Sequence, residues 1–179
     1  TVYATLSEIE ADSVEEALRQ CSEVIAKMTR PWCETVIVDS NHDRAFERWL
    51  KEANYRTDPV NAIFFLETQA DFYRAIQRHD SDFNIFEHVL RGFSDELLRN
   101  NVTFLPDRTS FRLFGDSGIE CCWHGDRGSG GSRGSAKGFT KNGVRSNIGH
   151  SHSCRIIDGV YQSGTCSKIP LPYAKGAIN

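Results

Sequence analysis

Three short groups of polar residues have the types and order needed to hold a divalent metal: Asn41-His42-Asp43, His124-Gly125-Asp126 and Gly149-His150-Ser151-His152. Neutral imidazole and the amide oxygen of Asn both ligate borderline cations. His150 and His152 are one residue apart, and in an extended segment such side chains face the same way. They could therefore serve one metal or two adjacent ones. Gly149 and Ser151 are small enough to let the backbone approach a cation closely. Each group alone has a plainer reading: Asn-His-Asp caps a helix, His-x-His arises by chance, and a lone His124 ends a strand. Their order, and their shared place in loops after predicted strands, favours the metal reading.

The elements that must position these groups are legible in outline. Ser13 to Met28 reads as an amphipathic helix, with Ser13 and Glu16 at capping-box spacing and Leu18, Cys21, Ile25 and Met28 on one face. Thr35-Val36-Ile37-Val38 is a β-branched strand of the kind expected in a sheet covered on both faces. A second helix follows, with Phe46, Trp49, Leu50 and Ala53 on one side. Asp58-Pro59 suits a helix start. Asn61 to Leu98 looks mostly helical, with Phe83, Phe86, Leu90 and Phe93 as core. Strands are expected at Val102–Leu105, Ser110–Phe114 and Ile119–Trp123. Asp158-Gly159 marks a hairpin between Arg155-Ile156-Ile157 and Val160-Tyr161-Gln162. This order predicts an α/β layered domain whose ligands gather at the carboxyl ends of strands. No internal repeat and no linker interrupts it, so residues 1–179 are read as one domain.

With 179 residues, the chain can bury a single core. A formal net charge of −3 argues against a general basic coat for nucleic acid, so any such contact must be a local patch. The candidate patch is Gly125 to Asn147, where Arg127, Arg133, Lys137, Lys141 and Arg145 face one acid, Asp126. Its Gly/Ser-rich composition favours a flexible solvated loop, while its place beside His124 suggests a cradle for phosphates. The six Cys form no C-x-x-C pair; several, such as Cys121 and Cys122, sit among apolar neighbours where Cys acts as a small buried hydrophobe. Buried thiols are favoured over a zinc site at Cys121, Cys122, Cys154 and Cys166 and over a disulfide framework. That usage favours a reducing, intracellular setting. Residues Thr1 to Glu10 lack a signal-peptide layout, and no apolar run is long enough to span a bilayer. His79 and His88 lie outside any motif and receive no role.

Taken in order, Asn-His-Asp, His-Gly-Asp and Gly-His-x-His resemble the last three motifs of the calcineurin-like metallophosphoesterases, with Ser40 standing where the family usually has Gly. The wider texture, Asp39 to Asp43 with Arg48-Trp49-Leu50 and the later Gly159 to Thr165, resembles phage-encoded members. The resemblance runs from about Ser13 to the end of the chain. It implies a sandwich of mixed sheets flanked by helices and a site for two divalent cations. Manganese is the first expectation, with iron, zinc or magnesium as alternatives. Asn41, His124 and His150 would ligate one metal and His152 the other. His42 would lie near the scissile phosphate, with Asp43 orienting its ring.

The implied reaction is phosphodiester hydrolysis, with DNA as the expected substrate. A phosphomonoesterase or protein phosphatase, or an inactive scaffold of the same fold, is the alternative. Two family motifs, Asp-x-His and Gly-Asp-x-x-Asp, do not occur upstream of Asn41, and neither Asp12 nor Asp39 is a convincing substitute. The expectation is that the chain begins after them and lacks the family's first βαβ unit. The resemblance also implies a bacterial cytoplasmic setting for a phage-encoded protein, no membrane partner, and a homo-oligomer as a candidate assembly.

Overall fold

Helix α1 (Val14–Met28) begins where its cap predicts: Ser13 Oγ accepts the Glu16 N–H at 3.2 Å. The computed structural model describes residues 13–99, 101–107, 109–128 and 131–164. Asp12, Thr165, Cys166 and the N-terminal ten residues, each used in the sequence reading, lie outside them. Strand β1 (Thr35–Val38) ends at Asp39-Ser40, and helix α2 (Asn41–Glu52) starts at the first of the candidate ligands. After a 3-10 turn at Tyr55–Thr57 comes α3 (Ala62–Gln77). It starts later than Asp58-Pro59 suggests, because Asn61 is tied elsewhere: its Oδ1 accepts the Val14 N–H at 2.7 Å and its amide donates to Asp58. Helices α4 (Ile85–Phe93) and α5 (Asp95–Arg99) complete the helical region.

Strand β2 (Val102–Leu105) pairs with β1 in a two-stranded sheet. β1 was expected to be covered on both faces, but its four residues are only half-buried. The remaining strands are β3 (Arg112–Leu113), β4 (Ile119–Glu120), β5 (Ser146–Ile148), β6 (Arg155–Ile157) and β7 (Val160–Gln162). They form a five-stranded mixed sheet in the order β3-β4-β5-β7-β6. β4, β5 and β7 run parallel; β3 and β6 are antiparallel edges. The architecture is thus mixed α/β with open sheets.

Two units divide the chain, and neither is a continuous stretch. The first takes residues up to Val36 and His42–Thr103; the second takes Ile37–Asn41 and everything from Phe104 onward. In the helical unit, Phe46, Leu50, Phe65, Ile85, Leu90 and Leu97 form the core, all under 4% exposed. Phe46, Trp49, Phe64 and Phe93 form a chain of stacked rings with centroids 5.9–6.4 Å apart. Phe86 and Leu90 are core as expected, while Phe83 and Phe93 are half-buried.

In the sheet unit, Ala136, Phe139, Ile148 and Val160 are buried, with Trp123 and Ile157 packed on them. The hairpin turn matches its sequence signal: Asp158 and Gly159 both have positive φ, 46° and 80°, as a type I′ turn requires. Ser110–Phe114 is strand only at Arg112–Leu113; Phe114 adopts φ 67° and is 84% exposed.

Candidate metal centre

Strand polarity explains why distant residues meet. β4 and β5 are parallel neighbours, with Glu120 in register with Ser146, so the segments leaving their carboxyl ends emerge on the same side. His124 follows β4 and His150 follows β5, and the Gly149 N–H donates to the His124 carbonyl at 2.7 Å. Asn41, at the end of the β1 segment, belongs to the same unit. Its Oδ1 lies 2.9 Å from His124 Nε2 and 3.1 Å from His150 Nδ1. The two imidazoles stand edge to face, centroids 5.3 Å apart at 76°.

Three of the expected ligands therefore converge across 83 and 109 residues of sequence. An amide oxygen only accepts, so each contact is a hydrogen bond in the tautomer that protonates the facing ring nitrogen; in the other tautomer that nitrogen offers a lone pair. The three groups are neutral N and O donors gathered around one point, a chemistry that fits a borderline divalent cation. Among the described residues no three His, Cys, Asp or Glu side chains form such a group; the convergent set is one Asn with two His.

The backbone around the trio is tightly specified. Gly125 has φ +107°, and a Cβ there would lie 3.0 Å from the Gly149 carbonyl oxygen. A Cβ on Gly134 would sit 1.8 Å from the Gly125 carbonyl oxygen, so no side chain fits. The His150–His152 expectation needs correction. Both residues are left-handed, at φ 70° and 58°, so the segment bends and the alternation argument does not apply. His42 is exposed and Asp43 half-buried on the first turn of α2, in the helical unit.

The Gly/Ser-rich stretch is also not the solvated loop its composition suggests. Arg127 and Arg133 pair as an antiparallel bridge, and the Gly134 N–H donates to the Asp126 carbonyl at 2.8 Å. Ser135 caps a short helix α6 (Ala136–Phe139) whose Ala136 and Phe139 enter the core. The five basic side chains, Arg127, Arg133, Lys137, Lys141 and Arg145, are exposed. Arg127 lies 3.8 Å from Asp126 and lines a cleft of ≈ 490 Å³ with Arg112, Glu120, Trp123 and Phe139.

Glu120, in that cleft, was not singled out by the sequence reading. It is 3% exposed and accepts from Ser110 Oγ at 2.6 Å, Phe111 N at 2.9 Å, Arg112 Nε at 3.1 Å and Cys122 N at 3.3 Å. Burial opposes its charge, but the hydrogen bonds from Ser110, Phe111, Arg112 and Cys122 together outweigh it and hold the carboxyl at about 2. The available signal was an acid between Ile119 and Cys121, with Arg112 upstream. Burial, followed by the hydrogen bond to Glu120 and its charge, pushes the Cys122 thiol up to about 12. Such a thiol keeps its proton at neutral pH and is a poor nucleophile there. The buried-thiol expectation holds only in part: Cys121 and Cys122 are half-buried, Cys154 is exposed, Cys166 lies outside the described residues, and Cys21, Cys33, Cys121, Cys122 and Cys154 are all free.

No protein-family model matches the chain, and no solved structure matches it. It is similar to Protein A1 of Escherichia phage T5, with 38% identity over 168 residues. The match covers 93% of this chain and 29% of that protein, so the chain spans less than a third of the relative's length. The chain is thus related to a phage protein. Among the described residues no helix is long and apolar enough to cross a membrane.

Proposed function

We propose that this chain carries part of a divalent-metal-dependent phosphodiesterase site of the calcineurin-like type, acting on DNA. The observation that supports it is the meeting of Asn41, His124 and His150, each from a different motif, within 3.1 Å of one amide oxygen. When bound, a divalent cation stabilises phosphoryl oxygens as a Lewis acid and activates the attacking water. Asn41, His124 and His150 hold one cation, manganese in the first instance, and His152 contributes to a second. Each imidazole would do so in the tautomer that leaves the facing nitrogen's lone pair free. His42 donates a proton to the leaving oxygen, and Asp43 orients its ring. Arg127, Arg133, Lys137, Lys141 and Arg145 hold backbone phosphates.

The test is manganese binding by calorimetry alongside manganese-dependent DNA cleavage, each with His124→Ala as control. Binding and cleavage that both vanish in His124→Ala support the reading. Binding without cleavage supports the metal centre and overturns DNA cleavage by this chain alone. No manganese binding sinks the proposal. A bis-aryl phosphate diester hydrolysed faster than an aryl monoester separates diesterase from monoesterase. Neutralising Arg133, Lys137 and Lys141 together should lower the log–log salt slope of DNA binding by roughly 2–3, one phosphate contact each.

A further inference from the structure

Helix α3 (Ala62–Gln77) is apolar on two opposite faces. One face buries Phe65, Thr68 and Ala75 within the helical unit. The other exposes Ile63 (68%), Leu66 (40%) and Tyr73 (56%) to solvent. With Ala70 and Gln77 these occupy positions 63, 66, 70, 73 and 77, the alternating three- and four-residue spacing of a coiled-coil seam. A solvated helix face has no physical reason to carry large apolar groups at that spacing.

We propose that this face pairs with α3 of a second copy of the chain, the two helices antiparallel about a two-fold axis near Ala70. The charges specify this occupant. Glu67 and Arg74 lie one heptad apart on the same flank of the seam. An antiparallel partner brings Glu67 of each copy opposite Arg74 of the other, giving two symmetric ion pairs; a parallel partner gives neither. The apolar positions are self-complementary in the same sense. Leu66 meets Tyr73 on both sides of the axis, and the smallest residue, Ala70, lies where the helices come closest. Arg74 Nη1 already pairs with Asp71 at 2.6 Å on its own helix. A guanidinium has five donors and can hold a second carboxylate as well.

Sedimentation velocity on the whole chain over a wide concentration range tests this, with circular dichroism to check folding. The expected result is a concentration-dependent dimer. Leu66→Asp places a charge in the seam and should raise the dimer Kd by at least about a hundredfold. Glu67→Arg alone should weaken the dimer by roughly tenfold, because both ion pairs become repulsive. The double charge swap E67R/R74E should restore it to within about threefold. Ala70→Cys should form an oxidant-dependent disulfide between two copies at that position, identified by peptide mapping against the unsubstituted chain. A monomer at all concentrations overturns the proposal, as does a dimer indifferent to Leu66→Asp. A dimer broken by Glu67→Arg and not rescued by the swap also overturns it. If Leu66→Asp fails to fold, the charge swap and the Ala70→Cys cross-link decide.

Discussion

Two polar clusters in the sheet unit are built on opposite plans. Around Glu120, four donors from Ser110, Phe111, Arg112 and Cys122 close on a single carboxylate that is 3% exposed. Four donors are committed to that one charge. Around Asn41, two imidazoles meet one neutral amide oxygen. Each ring nitrogen can present either a proton or a lone pair according to tautomer. The first cluster has the character of a structural fastening, because one carboxylate ties down four donors at once. The second can change what it offers without moving its backbone, as metal ligation requires. Burial and hydrogen bonding alone therefore do not mark a site; the capacity to exchange partners does.

The contrast can be broken most sharply from the side of the trio. His124→Ala is expected to weaken manganese binding by at least about a hundredfold, more than the ten- to hundredfold typical of a residue that only supports a ligand. Its melting temperature should change little, because neutral, partly buried groups are removed. If calorimetry finds the affinity kept and the stability lost, the trio is a fastening like the other cluster.

Glu120→Gln should do the reverse. The carboxyl's ordinary value of 4.5 falls to about 2 in the folded chain, a difference worth on the order of 3 kcal/mol. A folded-state value below the unfolded one means stability that is present above pH 4.5 and lost as pH falls toward 2. Acid unfolding of the parent should show this loss, and Glu120→Gln should lack that component. The variant's melting temperature should already be lower at pH 7, by roughly 5–10 °C for a chain of this size. Its manganese affinity should match the parent's, which is the result that separates the two clusters.

How far these clusters could be read beforehand follows from the range of the interactions. Local signals survived: the Ser13 cap, the strands Thr35–Val38 and Val102–Leu105, and the Asp158-Gly159 turn are set by neighbours in sequence. The meeting of Asn41, His124 and His150 was legible only through motif order, since no periodicity links residues 83 and 109 positions apart. Other features depended on tertiary contacts with no local counterpart. The Gly-rich stretch from Gly125 reads as solvated until Phe139 is seen in the core. The His150–His152 alternation fails because both residues are left-handed, a conformation that composition does not announce. Glu120 escaped notice because its partners, from Ser110 to Cys122, become convergent only when β3 pairs with β4.

A smaller effect tests whether the glycines beside the trio serve packing alone. Gly125→Ala meets the Gly149 carbonyl oxygen at 3.0 Å and forces φ +107° on a residue with a side chain. Backbone strain of this kind costs about 1–3 kcal/mol. Because Gly125 follows His124 directly, the strain should also displace that ring, so manganese affinity should fall along with the melting temperature. Stability lost at unchanged affinity would show the ring is held independently of this turn.

The smallest expected change concerns Ser146, which shares the sheet with both clusters. Its side chain is 0% exposed and its Oγ has no hydrogen-bond partner among the described residues. An unsatisfied buried hydroxyl opposes folding, and removing it relieves desolvation without breaking a bond. Ser146→Ala should therefore be neutral or stabilising by up to about 1 kcal/mol, measured by denaturant titration at an unchanged slope. The substitution removes one oxygen from the β5 strand that leads to His150 and leaves the backbone pairing with Val160 in place. Manganese affinity should be unaffected. A loss of stability instead would reveal a hydroxyl bond that forms in solution, making Ser146 part of the polar scaffold behind the trio.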